Sequence, residues 1–250
     1  MMQASENYTF TMRGESMTRI ETFVAASFAF AITMMVISLG TIPANMQEFI
    51  LATKQIPAFT ASCALIIWIW NTHAKWSRRF GLEDGPTIFF SSALIILVLI
   101  YIYPLRLMMQ GLFYTLSAGY FPVTMKFNSV EDVRFMFAFY GLGFLLLCLN
   151  FIALYGYALK QRTTLKLSEV EIFDSSTEIV LWAGAAGVSV VSILISWLSV
   201  YISWSGFVFF ALFPIMTGLG FYRGNKRKQL IAKLQQPSAA RQDPDESQVS

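Results

Sequence analysis

The sequence predicts an all-α membrane protein with six transmembrane helices, and three observations carry that reading. Of its 250 residues, 56% are hydrophobic and only 13% are charged, whereas soluble domains carry about 25% charge. Uncharged runs recur along the chain, each near the roughly 20 residues that a helix needs to cross about 30 Å of hydrocarbon. The basic residues gather in alternate connections between those runs, as the positive-inside rule requires of a polytopic protein. A mean hydropathy of +0.56 excludes disorder for most of the chain, because there is too much apolar surface to leave in water.

The first span is expected within residues 22–42. Its apolar stretch is longer than the core of a signal peptide, no small-x-small cleavage site follows it, and a mixed segment with Glu6, Arg13, Glu15, Arg19 and Glu21 precedes it, so it reads as a retained span. The second occupies residues 55–74, with Pro57 near its start and the helix running to about Trp76; the third occupies 85–105 and is expected to end around Pro104. Residues 107–125 are uncharged too, but contain Gly111, Gly119 and Pro122. They are expected to form a short interfacial segment, because a seventh span would invert the charge distribution. The fourth span covers residues 135–159, and the connection over 160–178 is mixed in sign and expected to be solvated. No charge occurs from 179 to 222, about twice the span length, so two helices must share that run with a turn at Trp204-Ser205-Gly206.

Six spans place both termini on one face. With the termini inside, only Lys54, Arg106, Lys126 and Arg134 of the 18 basic residues lie outside, which favours cytoplasmic termini in the cell membrane. The expected organisation is a cytoplasmic segment over 1–21, a six-span domain over 22–222 and a basic, then disordered, tail over 223–250. Arg223, Lys226, Arg227 and Lys228 in that tail either enforce topology or attract anionic lipid, at about 1 kcal/mol per basic residue near the surface.

The interiors of the expected spans lack Asp, Glu, Lys and Arg, and His73 is the only histidine. Ionisable groups in a membrane ordinarily mark proton relays and ion sites, so a proton-coupled pump has nothing to titrate. No metal-binding histidine pair, nucleophile elbow or phosphate-cradling glycine loop occurs, so the chain reads as neither an enzyme nor a cofactor carrier. A net charge of +3 gives no reason to expect nucleic acid, and Cys63 and Cys148 lie in apolar runs as buried thiols. Gly141 and Gly143 mark a surface where helices can approach closely. Passive permeation or a scaffolding role remains. On the first span, Ser27, Phe30, Thr33 (or Met34), Ile37 and Thr41 fall within one helical stripe. That stripe either lines an axis shared by several subunits, where apolar rings gate by dewetting, or forms a helix contact within the monomer.

Arg19-Ile20-Glu21-Thr22-Phe23, followed by Val24-Ala25-Ala26-Ser27-Phe28-Ala29-Phe30-Ala31-Ile32-Thr33, resembles the opening of the transmembrane protein 175 potassium channel family in its prokaryotic single-repeat branch. That opening runs Arg, three residues, Phe-Ser-Asp and an apolar stretch ending in Thr. Trp70-Asn71-Thr72-His73 is similar to the family's Trp-x-x-His at the end of the second span, and Pro104 matches a proline ending the third. The motifs cover roughly the first 110 residues; the remainder agrees in span count and layout. The resemblance implies a homotetramer whose first helices line a pore permeable to potassium ions, with the narrow ring at Phe30 and with Thr33 and Ile37 on its outward side. It also implies a supporting polar network at Arg19, Phe23, Trp70 and His73. Val24 and Ala25 stand where the family has Ser and Asp, leaving Glu21 or Glu83 as substitute partners, and Phe30 stands where an aliphatic residue is usual. The reading is a potassium-permeable cation channel with a hydrophobic pore constriction; the alternatives are a non-conducting membrane scaffold or accessory protein and, more remotely, a transporter of a neutral solute.

Overall fold

The computed structural model describes residues 10–235 apart from 15, 39 and 41. Its helices are α1 (Arg19–Ile37), α2 (Met46–Thr53), α3 (Ile56–Phe80), α4 (Gly85–Leu116), α5 (Val130–Lys160), α6 (Glu169–Leu198), α7 (Trp204–Phe207) and α8 (Leu212–Gln235), with a 3₁₀ turn over Val208–Ala211 before α8. Among the described residues, six segments are long and apolar enough to cross a membrane, α2 joining α3 and α7 joining α8. The six-helix expectation therefore stands.

Local chemistry sets where these helices begin and end. Thr18 caps α1 by accepting the Glu21 N–H at 3.0 Å. Ser129 with Asp132, and Ser168 with Glu171, form reciprocal capping boxes at the starts of α5 and α6, each satisfying two otherwise orphaned N–H groups. Gly81 ends α3 in the left-handed region, at φ 60°, and a Cβ there would also lie 2.9 Å from the Arg13 carbonyl. Only glycine meets both conditions without strain.

The long helices run antiparallel, and their ends are tied. On the face that carries the chain's ends, Glu21 faces Arg78 at 3.5 Å, Arg79 faces Glu178 at 3.6 Å and Arg227 pairs with Asp174 at 2.8 Å. Tyr157 donates to Asp84 there. On the opposite face Arg134, near the start of α5, donates to the carbonyls of Ser196 and Trp197 at the end of α6, at 2.8 and 3.0 Å. Between these faces lies an apolar core in which Phe151 stacks on Trp182 with centroids 4.4 Å apart. Gly141 and Gly143 act as expected: a Cβ at either would lie 2.7 Å from Ile193 or 2.6 Å from the Tyr101 ring. Cys148 is buried, and Cys63 is half-buried.

Four expectations are corrected. The third span does not end at Pro104; α4 continues to Leu116. A proline removes one backbone donor, and the buried Tyr101, Ile102, Leu105, Arg106 and Gln110 around it hold the helix by packing. Residues 107–116 are thus helix rather than an interfacial segment. The break between the last two spans falls over residues 199–203, and Trp204–Phe207 is itself helical. The solvated connection is shorter than 160–178: residues 161–168 are mostly exposed as expected, but α6 begins at Glu169 and buries Glu171. Beyond residue 222, α8 continues through the basic cluster to Gln235. Residues 236–250, where disorder is expected, lie outside the described residues, as does Thr41.

The N-terminal segment crosses the bundle face and is held by Arg13. Its guanidinium donates to both carboxylate oxygens of Glu171, at 2.8 and 2.9 Å, and to the Leu165 carbonyl at 2.8 Å. Glu171, only 3% exposed, also accepts from the backbone N–H groups of Thr11 and Ser168. Arg13→Met would strand a buried carboxylate, so it is expected to destabilise the chain by about 3 kcal/mol. Thermal scanning in detergent checks this, and adding Glu171→Gln to the same variant is expected to recover most of the loss.

Candidate functional site

Helix α1 has two apolar faces, and the fold uses one of them. Val24, Phe28, Ala31 and Met35 recur at alternating spacings of four and three and are each at most 3% exposed. That stripe packs against α3 and α4. Phe23, Phe30 and Ile37 recur every seventh residue on the other side and are 58%, 56% and 64% exposed. Thr33 is exposed with them and Met34 is half-buried, which places Thr33 rather than Met34 on this stripe. The stripe is therefore not a helix contact within the monomer.

The hydroxyls along this side are oriented by their own helix. Ser27 donates to the Phe23 carbonyl at 2.8 Å and Thr33 to the Ala29 carbonyl at 3.0 Å. With its proton directed back along the helix, the exposed Thr33 oxygen offers lone pairs outward, which suits a cation.

Arg19, Trp70 and His73 are not joined to one another by any hydrogen bond or ion pair among the described residues. The backbone N–H of Arg19 donates to Glu83 at 3.1 Å, while its side chain is exposed. Glu21, 4% exposed, faces Arg78 and accepts from the Ser77 hydroxyl at 3.4 Å. His73 is buried with Nε2 2.9 Å from the Ser91 hydroxyl; its Nδ1 has no partner among the described residues. Trp70 is half-buried, and Phe23 belongs to the exposed stripe. Among the described residues no group of three or more His, Cys, Asp and Glu is placed to hold a metal ion.

Sequence reasoning missed Arg106. Projecting from α4, it is 7% exposed and donates to the carbonyl and, at 2.5 Å, the hydroxyl of Ser38, the residue that caps the end of α1. It also donates to the Gln55 side-chain oxygen at 2.6 Å, at the start of α3. One guanidinium thus fixes the end of α1 that follows Ile37, where the helix dipole favours a cation. The available signal was a lone charge inside the otherwise uncharged stretch from 85 to 125.

The sequence profile of the endosomal/lysosomal potassium channel TMEM175 family matches residues 19–104. A relative from Marivirga tractuosa, named as a potassium channel, is 31% identical over 236 residues, covering 90% of this chain and 95% of that protein. The chain belongs to the TMEM175 family. Its fold is similar to the crystal structure of a variant of the potassium channel MtTMEM175 bound to a nanobody fusion, with a TM-score of 0.74, 30% identity and coverage of 87% of this chain and 97% of that one. A Chamaesiphon minutus homologue of the lysosomal potassium-selective channel TMEM175 shares the fold at a TM-score of 0.53 and 20% identity, over 82% and 96% of the two chains. TMEM175 proteins are ion channels, not enzymes, so the absence of catalytic motifs and the membrane-spanning architecture agree with the family.

Arg106→Met would release the last turn of α1, removing several hydrogen bonds to a charged donor, each contributing about 1.5 to 3 kcal/mol. Faster amide exchange over residues 34–38 and a loss of roughly 3 kcal/mol in stability are expected. Hydrogen exchange by mass spectrometry measures the first and a thermal scan the second. Arg106→Lys is expected to fall between the two, because an ammonium reaches Ser38 but lacks the fork that also engages Gln55.

Proposed function

We propose that this chain forms a homotetrameric, potassium-permeable channel of the cell membrane, with four copies of α1 around the ion pathway. The observation that carries the reading is the exposed heptad stripe of Phe23, Phe30 and Ile37 on a helix whose opposite face is fully buried. Exposed apolar residues on the other spans meet lipid; on α1, where the family profile begins, a four-fold axis closes the stripe into stacked rings. The kinship with proteins named as potassium channels supplies the ion.

In this arrangement Phe30 forms the narrowest ring. A passage lined by apolar side chains excludes water, so the barrier is the cost of drawing a partly hydrated cation through it. Potassium holds its hydration shell less tightly than sodium does, which lowers its barrier. The phenyl faces supply some cation attraction, and the Thr33 oxygens one turn further on replace part of the lost water. Arg106 holds α1 in register from behind without projecting charge into the pathway.

The basic residues support termini in the cytoplasm, with Lys54, Arg106, Lys126 and Arg134 on the other side. Arg223 is engaged by α6, donating to Thr177 and Ser176 at 3.0 and 2.5 Å, and Arg227 pairs with Asp174. Contact with anionic lipid on that face accordingly rests with the exposed Lys228 and with Lys226, whose ammonium lies 4.5 Å over the Tyr222 ring.

Potassium and sodium flux into liposomes tests the channel. Phe30→Ala is expected to widen and wet the narrow ring, raising potassium flux and weakening discrimination against sodium. Phe28→Ala, which removes a buried ring from the opposite face, is expected to cost about 3 to 5 kcal/mol of stability and leave the potassium-to-sodium ratio unchanged. No flux from wild type or either variant, with the tetramer intact, makes the protein a scaffold instead. A reporter fused after residue 235 is expected to read cytoplasmic; a periplasmic signal overturns the orientation.

A further inference from the structure

On the side of α3 and α4 away from α1, the structure holds a half-open cavity of about 880 Å³, toward the top of the roughly 300 to 1,000 Å³ range of small-molecule sites. Its walls come from α3, α4, α5, α6 and α8 and from the connections on the face opposite the chain's ends; no residue of α1 and no charged residue lines it. The hydroxyls of Tyr101 and Thr115 on its walls are already donated to the Tyr140 and Gly111 carbonyls.

The cavity exists because α4 overruns the membrane. Thirty-two residues make a helix about 48 Å long, against about 30 Å of hydrocarbon. The overrun from Leu105 to Leu116 forms one wall, and Val123, Met125 and Phe127 of the following connection fold over it. The lining therefore runs from Leu65 and Ile69, well inside α3, out to a surface connection that the polar headgroups reach. Such a chamber suits an amphiphile with its chain inside and its head at the rim. A cation borders that connection: Lys126, in sequence between the lining residues Met125 and Phe127, does not itself line the cavity but is exposed, and no hydrogen bond or ion pair engages it among the described residues. The nearby carboxylates are occupied, Asp132 by the N–H groups of Asn128 and Ser129 and Glu131 by Arg134 at 3.7 Å.

We propose that this cavity is a phospholipid-binding site in the leaflet opposite the chain's ends, holding an acyl chain between α4 and α8 with the phosphate on Lys126. A second copy of the chain fits less well, because the cavity is concave and lies away from the exposed α1 stripe through which the subunits would meet. The site does not depend on conduction, so its test stands apart from the flux assay.

Gly111 supplies the test, since it lines the cavity and a Cβ built there meets nothing within 4 Å. Gly111→Leu therefore starts from open space and extends its side chain into the cavity. The full chain is reconstituted in phosphatidylglycerol vesicles, extracted in mild detergent and weighed by native mass spectrometry. One retained phosphatidylglycerol per chain is expected in wild type, with retention about tenfold weaker in Gly111→Leu and about fivefold weaker in Lys126→Gln. In vesicles whose acyl chains carry bromine, quenching of the cavity tryptophans Trp68 and Trp182 is expected to fall in Gly111→Leu, with the melting temperature held. Equal retention in wild type and Gly111→Leu, or none in wild type, overturns the site. Dissociation of the oligomer by Gly111→Leu, with lipid retention unchanged, assigns the cavity to a neighbouring copy and also overturns it. Loss in Gly111→Leu alone, with Lys126→Gln unaffected, overturns the headgroup assignment.

Discussion

Hydrocarbon offers no hydrogen bonds, so a charged group that enters the bundle must find its partner in the protein. That constraint orders the structure. The ion pairs and charged hydrogen bonds of the long helices sit near their ends: Glu21 with Arg78, Glu171 with Arg13, Asp174 with Arg227 and Arg134 with the last carbonyls of α6. Between them the helices meet through aromatic rings and two close-approach glycines of α5. Surface ion pairs contribute little by themselves, but Arg13 and Glu171 are different, because the carboxylate is enclosed and the chain must cross the bundle to satisfy it. The N-terminal segment is thereby part of the fold.

The same constraint explains what the sequence could and could not disclose. Six spans were legible because the absence of charge over about 20 residues has few other causes in a folded protein. Helix ends were less legible, because a run without charge measures the hydrocarbon and not the helix, and α4, α5 and α6 all project beyond it. Their starts had a readable signal in Ser129 with Asp132 and Ser168 with Glu171, three residues apart, the spacing of a capping box. Pro104 misled because a membrane helix packed on both sides of a proline tolerates one missing donor.

The site was half legible for a related reason. α1 is apolar around most of its circumference, so its sequence places Phe28 and Phe30 on opposite sides without saying which side faces the protein. Packing decides: Phe28 is 3% exposed and Phe30 56%. The departures from the family's motif also gain a physical account. Val24, standing where the family has Ser, is 1% exposed in the apolar core, so the start of α1 is held by packing, by Glu21 and by Glu83 at the Arg19 backbone N–H. Of the two substitute partners that the resemblance left for Arg19, Glu83, 64 residues away, meets its backbone N–H, whereas Glu21 faces Arg78.

The far end of α4 brings two features together. Arg106 turns toward α1 and α3 and fixes the last turn of the helix that carries Phe30 and Ile37. Leu105, its neighbour in the chain, turns about 100° away and lines the apolar cavity. A helix is stiff over one turn, and Arg106 lies behind Pro104, which removes a hydrogen bond from the segment joining this end to the rest of α4. Two hydrogen bonds to Ser38 at the end of α1 and one to Gln55 at the start of α3 converge on that one side chain, so the far end of α4 ties two neighbouring helices at a single point.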